Sequence, residues 1–479
     1  MRYVQIIQDF LSKKNYDFGR SDITLSNFHP QIYVALAVQG VFFGRRDSYL
    51  RFLIPLSSIG VTFVGLAFQG LNIYMGVTTD DYSTATESFC YLVLLYFIIT
   101  VYSGILLNKD KIYKQIEEME IDFEQICGFG PRYREPFLAG QLLIWKLCVS
   151  WIAFAALCAS MFILYPCIVL IYQSLVATRD EHTTRPLVFP LWLPNDDPYR
   201  SPNYEMLFTL EAWYALAFNI CFGGYVYTLF HFLLHYYIMM DMIILDFQVI
   251  FDGLDESVAI LPKKNPRRVA VQLTLSRRLG RIVEHNVLTF YMAINNLSSV
   301  FRPSLIYQLM MSSVALCLVV YQVAKTLESG DFNILFVMMG IGTVIQLWIP
   351  CYLGTILRNK GFAVCDACWS CGWHETKLGR IIRTDILIIL QRALVPIFIK
   401  YTGQPVIQLE TFSAVRKIFL LNHTTILITQ QIERNNIVMS SNLEKQLFHR
   451  GSSAPSFMTT SYSKILQRMY GRIKNHRSC

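Results

Sequence analysis

The stretch "VCDACWSCGWHE" places Cys365, Cys368, Cys371 and His374 at steps of three, and these are the residue types that hold zinc or an iron–sulfur cluster. Zinc sites, however, usually set two close pairs roughly a dozen or more residues apart, and iron–sulfur runs carry four cysteines with a following proline. Neither arrangement occurs here, so the spacing predicts no metal site. Small, soft cysteines beside Trp369 and Trp373 suit helix packing instead. A second pair, His231 and His235, falls four apart on one helix face without a third ligand of suitable spacing. Both are expected as hydrogen-bonded or interfacial packing groups. A Walker loop, a dinucleotide fingerprint, a nucleophile elbow and an HExxH motif are all missing, so neither an enzyme nor a cofactor is expected.

The elements that must position these residues are set by composition. Of 479 residues, 53% are hydrophobic and only 16% charged, and mean hydropathy is +0.38, too apolar for an ordinary soluble protein of this length. Six stretches are long enough for a helix, rising about 1.5 Å per residue, to cross about 30 Å of hydrocarbon. They are Phe52 to Tyr74, Phe89 to Leu107, Leu142 to Leu175, Leu207 to Ile238, Ser304 to Val323 and Ile334 to Leu357. Their apolar residues run continuously rather than alternating, which excludes a transmembrane barrel. The first 50 residues lack the apolar core and cleavage site of a signal peptide, so the N-terminus is expected to be retained. The fold class is all-α and membrane-embedded.

Basic residues orient the chain. Arg45, Arg46 and Arg51 precede the first stretch, whereas residues 75–88 contain no Lys or Arg and carry Asp80, Asp81 and Glu87. The N-terminus is therefore cytosolic and the first span runs outward. Lys109, Lys111, Lys114, Arg132 and Arg134 after the second span, and the run from Lys263 to Arg281 after the fourth, belong inside as well. That run invites nucleic acid as a partner, but juxtamembrane basic segments favour anionic lipid, and lipid is the expected partner. Arg358, Lys360, Lys377, Arg380 and Arg383 place the segment after the sixth span in the cytosol, where disulfides are disfavoured. A cytosolic N-terminus also excludes the arrangement of G-protein-coupled receptors.

Three stretches carry a resemblance: "FPLWLPNDDPYRSPNYEMLFTLEAW", "CYLGTILRNKGFAVCDACWSCGWHE" and "IIRTDILIILQRALVPIFIKYTGQPVIQLETFSAVRK". In this order the chain resembles the insect odorant receptor family from about Asn27 to Lys417. The resemblance implies a seven-transmembrane helical bundle whose last span is split into a cytosolic helix and a pore helix. It implies a ligand-gated, non-selective cation channel, a hetero-tetramer with a shared co-receptor subunit, in the plasma membrane of olfactory neurons. A domain plan follows: a cytosolic segment 1–51, a six-helix bundle 52–357 with a ligand pocket in its outer half, cytosolic anchor helices 358–403, a pore helix 404–430 and a basic tail 431–479. The loop between spans four and five is too short for the co-receptor itself.

The pocket that the family implies would take a small hydrophobic odorant. Its expected lining is Tyr91, Phe154, Cys158, Phe162, Trp213, Tyr214, Phe218, Tyr321, Phe336 and Met339, all near the outer ends of the spans. Over it runs a loop with Pro186, Pro190, Pro194, Pro198 and Pro202, a proline spacing that forbids a helix and predicts a turn-rich lid. Subunit contacts are expected at Trp373, the family's recurrent tryptophan, and at Asp385 and Arg392, which interrupt an apolar run. Past Lys417 the family pattern stops: "IFLLNHTTILITQQIERNN" is a weak span and the tail is basic. A non-conducting splice form that binds ligand or partner subunits is the alternative reading.

The topology is directly testable. An epitope placed before Met1 should be invisible to antibody on intact cells and appear only after permeabilisation. Labelling of intact cells would reverse the orientation of every loop.

Overall fold

The computed structural model describes residues 8–14, 16–20, 22–43, 49–176, 185, 187–189, 191–193, 197–284, 293–328, 334–393, 408–414 and 417. All of them belong to the compact unit Met1–Ile418. The expected tail, and the expected pore helix beyond residues 408–414 and 417, lie outside the described residues.

Two short helices, α1 (Leu25–Phe28) and α2 (Pro30–Val38), precede the membrane bundle. Then come α3 (Leu53–Thr78), α4 (Tyr82–Leu107), α5 (Lys109–Gly128), α6 (Pro131–Val176), α7 (Asn203–Gln248), α8 (Pro266–Glu284), α9 (Ala293–Glu328), α10 (Ile334–Ser370) and α11 (Gly379–Ala393). Among the described residues, α3, α4, α6, α7, α9 and α10 are the helices long and apolar enough to cross a membrane. They coincide with the six stretches read from hydropathy, to within a residue at the first, and several run well past them. Hydropathy marks where lipid must be, whereas the backbone hydrogen bonds of a helix continue for as long as protein packs around it.

Polarity in the first span is turned inside out relative to a soluble helix. On α3 the buried positions are Pro55, Ser58, Thr62, Gly65, Gln69, Asn72 and Gly76, while Leu56, Phe63 and Leu71 are exposed. This is a stripe of alternating steps of three and four, so one face is polar and small and the rest is apolar. Hydrocarbon gives helices no hydrophobic reason to associate; small residues that allow close approach, and polar groups that need partners, do so instead. At Gly65 an added Cβ would meet Leu95 and Tyr214 side-chain atoms at 2.9 and 3.1 Å, and at Gly76 it would meet Ala85 backbone at 2.9 Å.

Helix α7 is the central post, with 72% of its apolar window buried. Its 46 residues span roughly 69 Å, more than twice the hydrocarbon thickness. Helix α4 crosses with 26 residues, so the cytosolic end of α7 reaches roughly 30 Å farther than a single crossing requires. There the amphipathic helix α8 docks through Leu275, Leu279 and Ile282. Arg278 donates to the carbonyls of Val249, Ile250 and Asp252 just past the end of α7 at 2.8–3.1 Å, and Arg281 pairs with Asp246 at 3.1 Å. A cation there satisfies carbonyls that the helix leaves open and complements its dipole. The basic run expected to face lipid thus holds two arginines on protein.

Of the α7 histidines, expected as hydrogen-bonded or interfacial groups, His235 is hydrogen-bonded. His231 and His235 are fully buried, and an N-terminal residue meets them. His29 Nε2 donates to Gln141 Oε1 at 3.1 Å, Gln141 Nε2 donates to His235 Nδ1 at 3.0 Å, and His235 Nε2 donates to Asp122 Oδ2 at 3.1 Å. The rings of His29 and His231 lie 4.4 Å apart, edge to face. One polar chain therefore ties the N-terminal segment to α5, α6 and α7.

Helix α10 continues past its span to Ser370, burying Val364 and Cys368, and α11 folds back with Ile382, Ile386 and Ile389 inward. Burial pushes the Cys368 thiol up to about 12. Cys371 Sγ donates to the Cys368 carbonyl at 3.2 Å, and the His374 ring stacks on Trp369 at 5.8 Å.

Burial first, then the neighbouring His231 and Lys13, hold His29 well below the ordinary imidazole range. His29 is neutral in the fold, whereas the unfolded chain takes up a proton near about pH 6.5. Its contribution to stability is therefore full above that value and is lost as pH falls below it. The melting temperature of the solubilised protein should drop on acidification through this window. His29→Gln should make the dependence shallower, and an unchanged slope would remove His29 from the account.

Candidate functional site

In the outer half of the bundle, α4, α6, α7 and α10 enclose a cavity of about 120 Å³. Each helix contributes one face. From α6 come Trp151, Phe154, Ala155, Cys158, Ala159 and Phe162; from α7 come Tyr214, Ala215, Phe218, Asn219 and Phe222. Helix α4 adds Tyr91, Leu94 and Leu95, and α10 adds Met338, Met339, Gly342, Thr343, Ile345 and Gln346. Steps of three and four recur on α6, α7 and α10, as expected when one stripe of each helix looks into a shared space.

The walls are held by ring packing and a few hydrogen bonds. Trp151 Nε1 donates to the Gly223 carbonyl at 3.2 Å, and its ring packs on Phe154 and Phe222 at 5.7 and 5.5 Å. Phe218 and Phe222 stack at 5.7 Å. Thr343 donates its hydroxyl to the Met339 carbonyl at 2.8 Å, so it offers the cavity mainly its methyl group. Asn219 and Gln346 are the amide side chains of the wall. The lining is otherwise almost wholly apolar or aromatic.

A loop residue closes the top. Phe189 lies in the segment between α6 and α7, its ring 4.4 Å from Tyr91 and 6.3 Å from Tyr214. The Tyr91 hydroxyl donates to the Val188 carbonyl at 3.3 Å. The amides of Val188 and Phe189 donate to Glu211 Oε2 and Oε1 at 2.8 and 3.2 Å.

Of the residues singled out from sequence, Tyr91, Phe154, Cys158, Phe162, Tyr214, Phe218 and Met339 come together around this space. Three do not line it. Trp213 is 49% exposed on the other side of α7, since one residue along a helix turns the side chain by about 100°. Phe336 is buried behind Tyr91, with ring centroids 6.1 Å apart. Tyr321 is on α9, which gives the cavity none of its lining residues. Conversely, sequence reasoning missed Trp151 and Phe222, which continuing the steps of three and four from Phe154 and Phe218 would have found. Nothing local marks Phe189, because its role depends on where a loop lands.

In the cytosolic part, Trp373 is buried against Trp369 and His374, with ring centroids 5.8 and 5.7 Å away. Asp385 and Arg392 are exposed on α11 beside a cleft shared with Leu279 and Val283 of α8. Residues 408–414 begin the segment expected to lead into the seventh span, and they are tied to α10. Arg358 donates to Gln408 Oε1 at 2.6 Å and to Glu410 at 3.1 Å, and the Leu409 amide donates to Thr355 Oγ1 at 2.9 Å.

A helical membrane bundle around an almost wholly apolar cavity suits the binding of small apolar molecules. The seven-transmembrane odorant receptor family model matches residues 81–419, and the chain belongs to that family. Among curated relatives, Odorant receptor 82a of Drosophila melanogaster is 25% identical over 373 residues, covering 72% of this chain and 86% of the relative. Odorant receptor 13a of the same species is 26% identical over 257 residues, covering 48% and 58%. The insect olfactory receptor OR5 from Machilis hrabei in complex with eugenol superposes with a TM-score of 0.62 at 15% identity, covering 85% of this chain and 98% of that one. The same receptor without the stated ligand gives 0.59, covering 84% and 98%. The fold is thus that of the insect olfactory receptors, and the chain is an odorant receptor subunit.

A cavity-filling substitution tests the site. Gly342 has no neighbour within 4 Å of an added Cβ, so a larger side chain there has room to grow. Gly342→Phe should leave surface expression intact and weaken binding of an environment-sensitive apolar fluorophore to the solubilised protein by about tenfold or more, the scale of the apolar burial lost. Unchanged fluorophore binding would place the probe's site elsewhere.

Proposed function

We propose that this chain is the ligand-specific subunit of an odorant-gated, non-selective cation channel, assembled with a shared co-receptor subunit in the plasma membrane of olfactory neurons. The observation that carries the reading is the small apolar cavity under the Phe189 roof. Engineered apolar cavities of about 150 Å³ stay dry and accept a single benzene-sized molecule. An aromatic ligand burying about 200 Å² there gains about 5 kcal/mol from apolar transfer, at about 25 cal/mol per Å². Before any association cost, that corresponds to sub-millimolar binding. Shape and the Asn219 and Gln346 amides then refine the choice of ligand. Eugenol in the Machilis hrabei receptor is a ligand of this small apolar kind.

Seven of the sequence-chosen residues are assigned to the ligand wall: Tyr91, Phe154, Cys158, Phe162, Tyr214, Phe218 and Met339. Trp373, Asp385 and Arg392 are assigned to the subunit-contact region, Trp373 as internal support and the other two as surface. The exposed apolar residues Leu387 and Ile388 on the same helix support a protein partner there.

The test is heterologous expression with and without the co-receptor. Odorants should evoke a cation current only when both subunits are present. Current from this chain alone, or silence of the pair across a broad panel of volatiles despite surface expression, would overturn the assignment.

A further inference from the structure

We propose that Glu211 is a positioning residue for ligand selection: its carboxylate holds Val188 and Phe189 in place as the roof of the cavity. The proposal rests on the reading of that cavity as the odorant site.

A fully buried carboxylate near the outer end of a membrane helix is costly unless it has partners and a task. Both oxygens of Glu211 are engaged, each by one of two consecutive backbone amides, at 2.8 and 3.2 Å. Those amides have few alternatives. They sit in "PLVFP", between two prolines, a spacing that disfavours a helix. The Tyr91 hydroxyl adds a third tie, to the Val188 carbonyl.

Glu211 stands three and four residues before Tyr214 and Ala215, which line the cavity, and so lies one helical turn above them on the same face of α7. Glu211 itself is not a wall residue. With its oxygens turned to the loop, it is not a counter-charge for a cationic ligand; it acts through Phe189. The Phe189 ring limits how far a ligand extends outward, so the strength of the carboxylate latch sets the discrimination between short and long ligands.

The test uses Cys158, a partly exposed thiol in the cavity wall. In Glu211→Gln, an NH₂ group replaces one acceptor and confronts a backbone N–H, so at least one bond is lost. A membrane-impermeant methanethiosulfonate applied outside should then modify Cys158 about tenfold faster or more, the scale of a buried donor left without its hydrogen bond. Surface protein carrying Cys158→Ser supplies the background. Tyr91→Phe, which removes only the hydroxyl tie, should give a smaller increase.

In cells co-expressing the co-receptor, discrimination within a series of straight-chain acetate esters should fall by a similar factor in Glu211→Gln. An unchanged modification rate with normal surface expression overturns the latch. If Glu211→Gln does not reach the surface, Glu211→Asp, which shortens the reach by one methylene, decides by the same rate. The rate requires no evoked current. Faster modification without any odorant response therefore leaves the latch standing and removes the ligand reading, whereas normal responses with an unchanged rate do the opposite.

Discussion

Hydrocarbon offers no partner to a polar side chain, so each span must turn such groups toward protein: the α3 stripe faces α4 and, at Gly65, also α7, the most buried of the spans. The stripe of Ser58, Thr62, Gly65, Gln69 and Asn72 on α3 is intelligible only on these terms. A single helix then carries three layers of function. At its outer end Glu211 receives the loop amides, in its middle Tyr214, Phe218 and Phe222 form a wall, and deeper still His231 and His235 meet the N-terminal segment. At its far end the same helix is capped by the guanidinium of Arg278.

The cavity is an apolar space within an interior that is otherwise rich in polar contacts. Three of its polar groups are satisfied internally: Tyr91 by the Val188 carbonyl, Thr343 by the Met339 carbonyl, Trp151 by the Gly223 carbonyl. A ligand would therefore meet mainly rings, methyl groups and thioethers, with the Tyr214 hydroxyl and the Asn219 and Gln346 amides as the polar exceptions, and transfer from water would supply most of its affinity. The α6 and α7 walls are built of rings packed on one another. The roof belongs to a loop and is held by a few named bonds, so the geometry of selection is concentrated where the scaffold is least regular.

The cytosolic half is fastened by charge-assisted and buried polar bonds. Arg278 and Arg281 join α8 to α7, the chain from His29 to Asp122 joins the N-terminal segment to three helices, and Arg358 joins α10 to Gln408 and Glu410. The last of these lies at the start of the segment that the family resemblance assigns to the seventh span. A displacement of α10, which also forms one wall of the cavity, thus has a direct mechanical partner in that segment.

Sequence by itself determined that this is a helical membrane protein, which side of the bilayer its N-terminus and basic loops occupy, and the family, because the transfer cost of charge and the bias of basic loops act on segments without reference to their neighbours. It also located the level of the cavity: Phe154, Phe162, Tyr214 and Phe218 are aromatic positions near the outer face. Rotation about the helix axis was not legible, and so Trp213, adjacent to Tyr214, faces away while Trp151 faces in. Only the tertiary structure decided that Phe189 forms a roof, that Glu211 holds it, that His29 reaches His235 through Gln141, and that Arg278 belongs to the end of α7 rather than to lipid. Each of these joins residues far apart in the chain through one hydrogen bond or ring contact. Such a contact depends on position to within about an ångström, which neither hydropathy nor spacing along the chain encodes.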